Sequence, residues 1–268
     1  MDDDVLVVDS ATRLDASAKG RVVACGSHGG LFPAWLAARA CVRGIILHDA
    51  GIGRHSSGIS GVLWLGGMGI AACAVDYRSA CIGDGRDVLQ AGVVSTVNEA
   101  AADRGVLPGH SAKQAAQCLL EGTDPGPCDV PEIGETRRSI RNSGHRAVWA
   151  VDSVSLVKGE DARSIVLTGS HAGLLAGKPD HMLPVDVFAA FFNDSGGGKD
   201  DAGFRRLPVL DKRGVAAATV SHLTARIGDG LSTYETGVLS RVNQAAARLD
   251  IKAGMSAREA VARLVGLG

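Results

Sequence analysis

The chain has 268 residues, of which 46% are apolar, 4% aromatic and 36 glycine, and its formal net charge is −1. A balance this close to neutral leaves no electrostatic footprint for nucleic acid or an anionic membrane surface, so neither is expected as a partner. The acidic start, Met1-Asp-Asp-Asp4, lacks the features of a secretory signal, and the longest apolar run, residues 62–75, is too short for a bilayer. A cytoplasmic protein is the expectation.

In chain order, short apolar runs at 5–8, 22–25, 45–47 and 70–75 read as strands. Helices are expected over 32–42, 59–65 and, rich in alanine, 94–104, with Ser111 as N-cap of a last helix through 120. The runs do not alternate with polar residues, as suits strands covered on both faces.

The same order then returns. Val5-Leu-Val-Val-Asp-Ser10 is matched by Val148-Trp-Ala-Val-Asp-Ser153, Gly26-Ser-His-Gly-Gly30 by Gly169-Ser-His-Ala-Gly173, and His48-Asp-Ala-Gly-Ile-Gly53 by Asn193-Asp-Ser-Gly-Gly-Gly198. Ile82-Gly-Asp-Gly85 recurs as Ile227-Gly-Asp-Gly230, and Gly92-Val-Val-Ser-Thr-Val-Asn98 as Gly237-Val-Leu-Ser-Arg-Val-Asn243, at offsets of 143 to 145. Ser256 takes the place of Ser111 as the last N-cap. The expected fold class is α/β: two tandem, internally duplicated domains, each a mostly parallel sheet flanked by helices, related by a pseudo-two-fold. Residues 1–121 and 145–268 form the repeats, and 122–144, rich in Pro, Gly and charge, is the linker or crossover.

Ligands bind at the carboxyl ends of strands in such sheets, where three repeated glycine-rich motifs fall. From the first motif, Ser27, His28, Ser170 and His171 are candidate catalytic groups, with Gly29, Gly30 and Gly173 offering backbone amides to an anion. The second and third motifs add the acids Asp49, Asp194, Asp84 and Asp229. Arg54, Lys199 and Arg226 are candidate cations for an anionic substrate. Each has a local alternative: serine and aspartate cap turns and helices, and a histidine satisfies a buried carbonyl.

The glycine spacing matches neither a dinucleotide fingerprint nor a Walker loop, so no organic cofactor is expected. No spacing demands a metal, and the six cysteines, unmatched between copies, read as small buried hydrophobes, with Cys25 beside the Ser-His turn the one to watch. The inventory suits a cofactor-independent hydrolase acting on an amide or cyclic amide of a small carboxylate-bearing molecule. A lyase or isomerase that abstracts a proton next to a carbonyl, or a non-catalytic metabolite-binding module, fits the same parts. A homo-oligomer is compatible with all three.

Overall fold

A computed structural model describes residues 5–126, 129–141, 146–176 and 183–267. The first half builds a five-stranded sheet in the order β1 (Val5–Val8), β2 (Val22–His28), β3 (Gly44–His48), β4 (Ala71–Val75) and β5 (Val94–Val97). The first four strands are parallel, and β5 closes the edge antiparallel to β4. Its helices are α1 (Leu31–Arg39), α2 (Ser60–Gly67), α3 (Gly85–Ala91), α4 (Glu99–Ala102) and α5 (Ala112–Glu121).

The second half builds a six-stranded sheet from β6 (Arg137–Arg141), β7 (Val148–Val151), β8 (Ile165–His171), β9 (Ala189–Asn193), β10 (Ala216–Val220) and β11 (Leu239–Val242). Here β7 to β10 are parallel, and both edge strands are antiparallel to their neighbours. Helices α6 (Arg206–Lys212), α7 (Gly230–Thr236), α8 (Gln244–Arg248) and α9 (Ala257–Gly266) cover it. Both sheets are therefore mixed, and the class is α/β. No helix among the described residues is long and apolar enough to cross a membrane.

The apolar runs explain the layering. Alternate residues of one strand enter opposite cores: Val22, Ala24 and Ile46 pack with α3 and α5, while Val23, Cys25, Ile45 and Leu47 pack with α1 and α2. The second sheet repeats this, with Ile165, Leu167 and Phe191 on one face and Val166 and Phe192 on the other. A strand buried on both faces has no polar side to display.

Two elements differ from expectation. Residues 94–97 form a strand, and the helix expected from 94 onward begins only after the N-cap Asn98, whose side chain accepts from the Ala101 amide. The expected linker contains β6, a charged edge strand paired to β7. Earlier in the same segment, the Pro131 carbonyl accepts from Trp35 Nε1 at 2.9 Å, so it packs on the first half before joining the second sheet. The counterpart expected for α1, between β8 and β9, falls mostly outside the described residues. Ser111 and Ser256 cap their helices as expected, Ser111 in a full capping box with Gln114.

His48 and Asn193 hold equivalent places at the ends of β3 and β9. His48 Nδ1 accepts from the Ala50 amide at 3.0 Å, leaving Nε2–H to donate to Ala80 O at 3.0 Å. Asn193 makes the same pair, Oδ1 from Ser195 N at 2.9 Å and Nδ2 to Ala225 O at 3.2 Å. His48→Asn is therefore expected to cost under about 1 kcal/mol, and His48→Ala about 2–4 kcal/mol through two orphaned buried groups, both read by urea denaturation.

Candidate functional site

The two halves meet through their glycine loops. The Arg54 amide donates to His222 O at 2.7 Å and, reciprocally, the Lys199 amide donates to Tyr77 O at 3.0 Å. A Cβ at Gly51 would overlap the His222 ring, and one at Gly196 the Tyr77 ring, so glycine lets each loop close over the other half's aromatic side chain. Lys199 Nζ pairs with Asp87 at 2.7 Å across the same seam, Ile227 N donates to Ser57 Oγ at 3.1 Å, and Ala50, Cys81, Ile82, Ala202 and Ile227 form a small apolar core there.

The acids of this motif serve the loops. Asp49 Oδ1 accepts from Gly51 N and Tyr77 N, and its Oδ2 from Ser95 Oγ at 2.8 Å. Asp194 Oδ1 accepts from Gly196 N, His222 N and His222 Nδ1. Burial raises Asp49 above the usual carboxylate range. In Asp194 burial acts the same way, but the His222 side chain and amide outweigh it and the pKa is lowered. Neither acid lines the cavity described below, and neither do Arg54 and Lys199. Asp84 caps α3, accepting from Asp87 N, and stands outside it too.

A cavity of about 840 Å³ lies between the halves. Ser27 and His28, at the end of β2, form one wall; Ser170 and His171, at the end of β8, form the other, with Arg206, Arg226 and Asp229. The first motif alone is thus brought together from both repeats. Each histidine packs beside the other half's Ile-Gly-Asp-Gly loop: a Cβ at Gly228 would lie 3.5 Å from His28 Cε1, and one at Gly83 3.3 Å from His171 Cε1. Gly26 and Gly169 admit no side chain because those loops run directly over them.

The glycine amides are spent within the turn. Gly30 N and Gly173 N donate to His28 and His171 Nδ1, each at 3.1 Å, and Gly29 N donates to His48 O at 2.8 Å. This corrects the expectation of free amides for a ligand. It also fixes the tautomer: with Nδ1 accepting, the neutral imidazole carries its proton on Nε2. Ser27 Oγ accepts from Ala11 N at 3.0 Å and Ser170 Oγ from Val154 N at 2.9 Å, leaving each hydroxyl proton to donate. Asp229 caps α7 and pairs with Arg226 at 2.6 Å.

Burial, with His48 nearby, pulls His28 down to about 4, and burial with the Arg206 charge holds His171 well below its ordinary value. The unfolded chain takes up these protons below about pH 6.5 while the folded protein does not. Their contribution to stability is complete above that pH and is lost as pH falls toward 4. Urea unfolding between pH 7 and 4 should show this decline, and His28→Gln should flatten it.

Arg206 and Glu135 are two cavity groups that sequence reasoning missed. Arg206 is only 3% exposed; its Nη2 donates to Gly173 O at 3.1 Å and the guanidinium lies over Phe192 at 4.8 Å. Its Nε and Nη1 are buried with no hydrogen-bond partner among the described residues. Burial brings its pKa down to about 10, so it keeps its charge at neutral pH. The equivalent residue of the first half, at the same offset, is Gly61, where a Cβ would collide with Gly30 and Ala34. That pairing was the one available signal. Glu135, in the connecting segment, carries no repeat counterpart.

Cys25 is fully buried, and burial pushes its thiol up to about 11, which makes it a poor nucleophile. No group of three His, Cys, Asp or Glu among the described residues is placed to hold a metal ion. Comparison with family models, curated proteins and solved structures gives no match to this chain.

Proposed function

We propose that the chain is an enzyme that acts, without an organic cofactor, on a small carboxylate-bearing molecule held between its two halves. The observation that carries this reading is Arg206, a buried cation in the cavity wall with two nitrogens unpartnered among the described residues. Burying a charge without a partner costs several kcal/mol, and a ligand carboxylate would offset that cost through charge-assisted hydrogen bonds.

His28 and His171 line the same cavity with their Nδ1 lone pairs engaged. In the neutral form they suit donation from Nε2–H to a carbonyl or enolate oxygen, not removal of a serine proton. This favours proton abstraction next to a carbonyl over hydrolysis of an amide. Hydrolysis stays as the second reading on the strength of the Ser27 and Ser170 hydroxyls in the same cavity.

The repeated motifs, the shared succession of four parallel strands and the reciprocal loop contacts further support descent from one duplicated domain, its copies facing each other about a pseudo-two-fold. On this view Gly61 and Arg206 record the step that gave the site one cationic, anion-binding end.

The test is a thermal-shift comparison of malonate and other short carboxylates with their primary amides. The acids should raise the melting temperature and the amides should not, and Arg206→Met should abolish the difference. Equal responses to acid and amide, or an acid response retained in the variant, would overturn the reading.

A further inference from the structure

The segment that joins the two sheets returns to the cavity before it enters β6, and Ile133, Gly134 and Glu135 line the wall there. Glu135 is held on a firm base. The next residue, Thr136, donates from its amide and hydroxyl to Asp152 Oδ2, both at 2.7 Å, and Thr136 O accepts from Asp152 N at 3.0 Å. The Glu135 side chain is half-buried in that wall.

The other acids of the cavity are already engaged. Asp152 Oδ1 accepts from Gly230 N at 3.1 Å and its Oδ2 from Thr136; Asp229 holds Arg226 and the N-terminus of α7. Glu135 pairs with no cation among the described residues. Burial and the nearby Asp152 charge push it up to about 7, with Ser153 acting the other way. A carboxyl near neutrality exchanges protons in both directions at working pH.

The cavity lining is also chemically mixed. Ser27, His28 and Arg206 are buried polar groups of the lining, whereas Leu31, Phe32, Val157 and Leu183 supply apolar wall. Its volume accommodates a ligand larger than a bare two- or three-carbon acid.

We propose that Glu135 is the proton-transfer group of this cavity, and that its substrates are amphiphilic 2-oxo acids. The inference rests on the reading under Proposed function. The carboxylate would pair with Arg206, the adjoining carbonyl oxygen would accept from an imidazole Nε2–H, and the apolar body would lie against Leu31, Phe32, Val157 and Leu183. The Glu135 carboxylate takes a proton from the carbon beside the carbonyl. The C–H electron pair becomes the C=C bond of an enolate, and the carbonyl π pair moves onto oxygen. Return of the proton from Glu135 to carbon restores the acid–base group and needs no co-reactant.

The full chain is incubated in deuterium oxide with phenylpyruvate, and proton NMR follows loss of the C3 hydrogen signal above the uncatalysed rate. Thermal shift with phenylpyruvate is read in parallel. Protein-dependent exchange is expected, falling at least about 100-fold in Glu135→Gln with the thermal shift retained, and partly restored in Glu135→Asp. Exchange undiminished in Glu135→Gln would overturn the role of Glu135. A thermal shift without exchange in the wild type would overturn proton transfer while leaving carboxylate binding in place. Neither shift nor exchange, with malonate still stabilising the protein, would overturn the 2-oxo acid class alone; loss of both responses would remove the underlying reading as well.

Discussion

Replacing Arg206 with methionine is expected to make the ligand-free protein more stable while removing its response to carboxylates. Arg206 is only 3% exposed, and of its side-chain nitrogens only Nη2 has a hydrogen-bond acceptor, Gly173 O, among the described residues. Exchange of a poorly compensated buried ion for an apolar side chain of similar length commonly stabilises a fold by about 1–4 kcal/mol. Methionine would lie along Phe192, which now sits beneath the guanidinium, and a thioether packs well on an aromatic ring. At about 2–4 °C per kcal/mol for a protein of this size, the gain should be plain in a melting curve. A stability held in reserve for a ligand behaves this way, and a purely structural arginine does not. Loss of more than about 2 kcal/mol in the variant would mark Arg206 as a scaffold residue.

The largest destabilisation is expected from Asn98→Asp and, equally, Asn243→Asp. Asn98 is 4% exposed and uses its whole amide: Oδ1 accepts from Ala72 N and Ala101 N, and Nδ2 donates to Val62 O and Ile70 O. It thereby ties β4, α2 and α4 together from one point. Asn243 repeats all four bonds, to Ala217 N, Ala246 N, Leu207 O and Val215 O. Aspartate keeps the shape but turns the two donated bonds into oxygen facing oxygen, inside a site that cannot solvate a charge. Each orphaned carbonyl costs about 1–3 kcal/mol before the buried charge is counted, so a loss above about 4 kcal/mol is expected by urea denaturation. A loss under about 1 kcal/mol for either variant would mean that water reaches these side chains.

Local features were legible where local physics decides them. The apolar runs marked the parallel strands because both faces of each sheet are covered, and Ser111 and Ser256 announced their helices because a cap acts within three residues. Where two readings share one pattern, sequence could not separate them. Val94, Thr96 and Val97 favour a strand, yet the alanines that follow suggested a helix through the whole stretch; Asn98 marks the boundary between them. Asp49 and Asp194 in glycine-rich loops look alike whether they cradle a ligand or fold a loop onto another domain. The deciding partners, Tyr77 and His222, lie in the same half as the acid they bond but 28 residues further along, and their rings meet the other half's glycine loop. Arg206 followed a helix start like many surface arginines, and only its burial between sheets sets it apart. Glu135 was hidden in a segment whose charge and proline content read as connector, although the strand it leads into pins it to the cavity wall.

On the proposed reading, the two Ser-His turns and Arg206 enclose one anion-binding site. A crystal structure of the protein grown with malonate tests it most directly. The expected result is a malonate carboxylate within hydrogen-bond distance of Arg206 Nε or Nη1, with a second contact from Nε2 of His28 or His171. A cavity without malonate, in which an acid of the chain itself fills both free nitrogens of Arg206, would contradict the account.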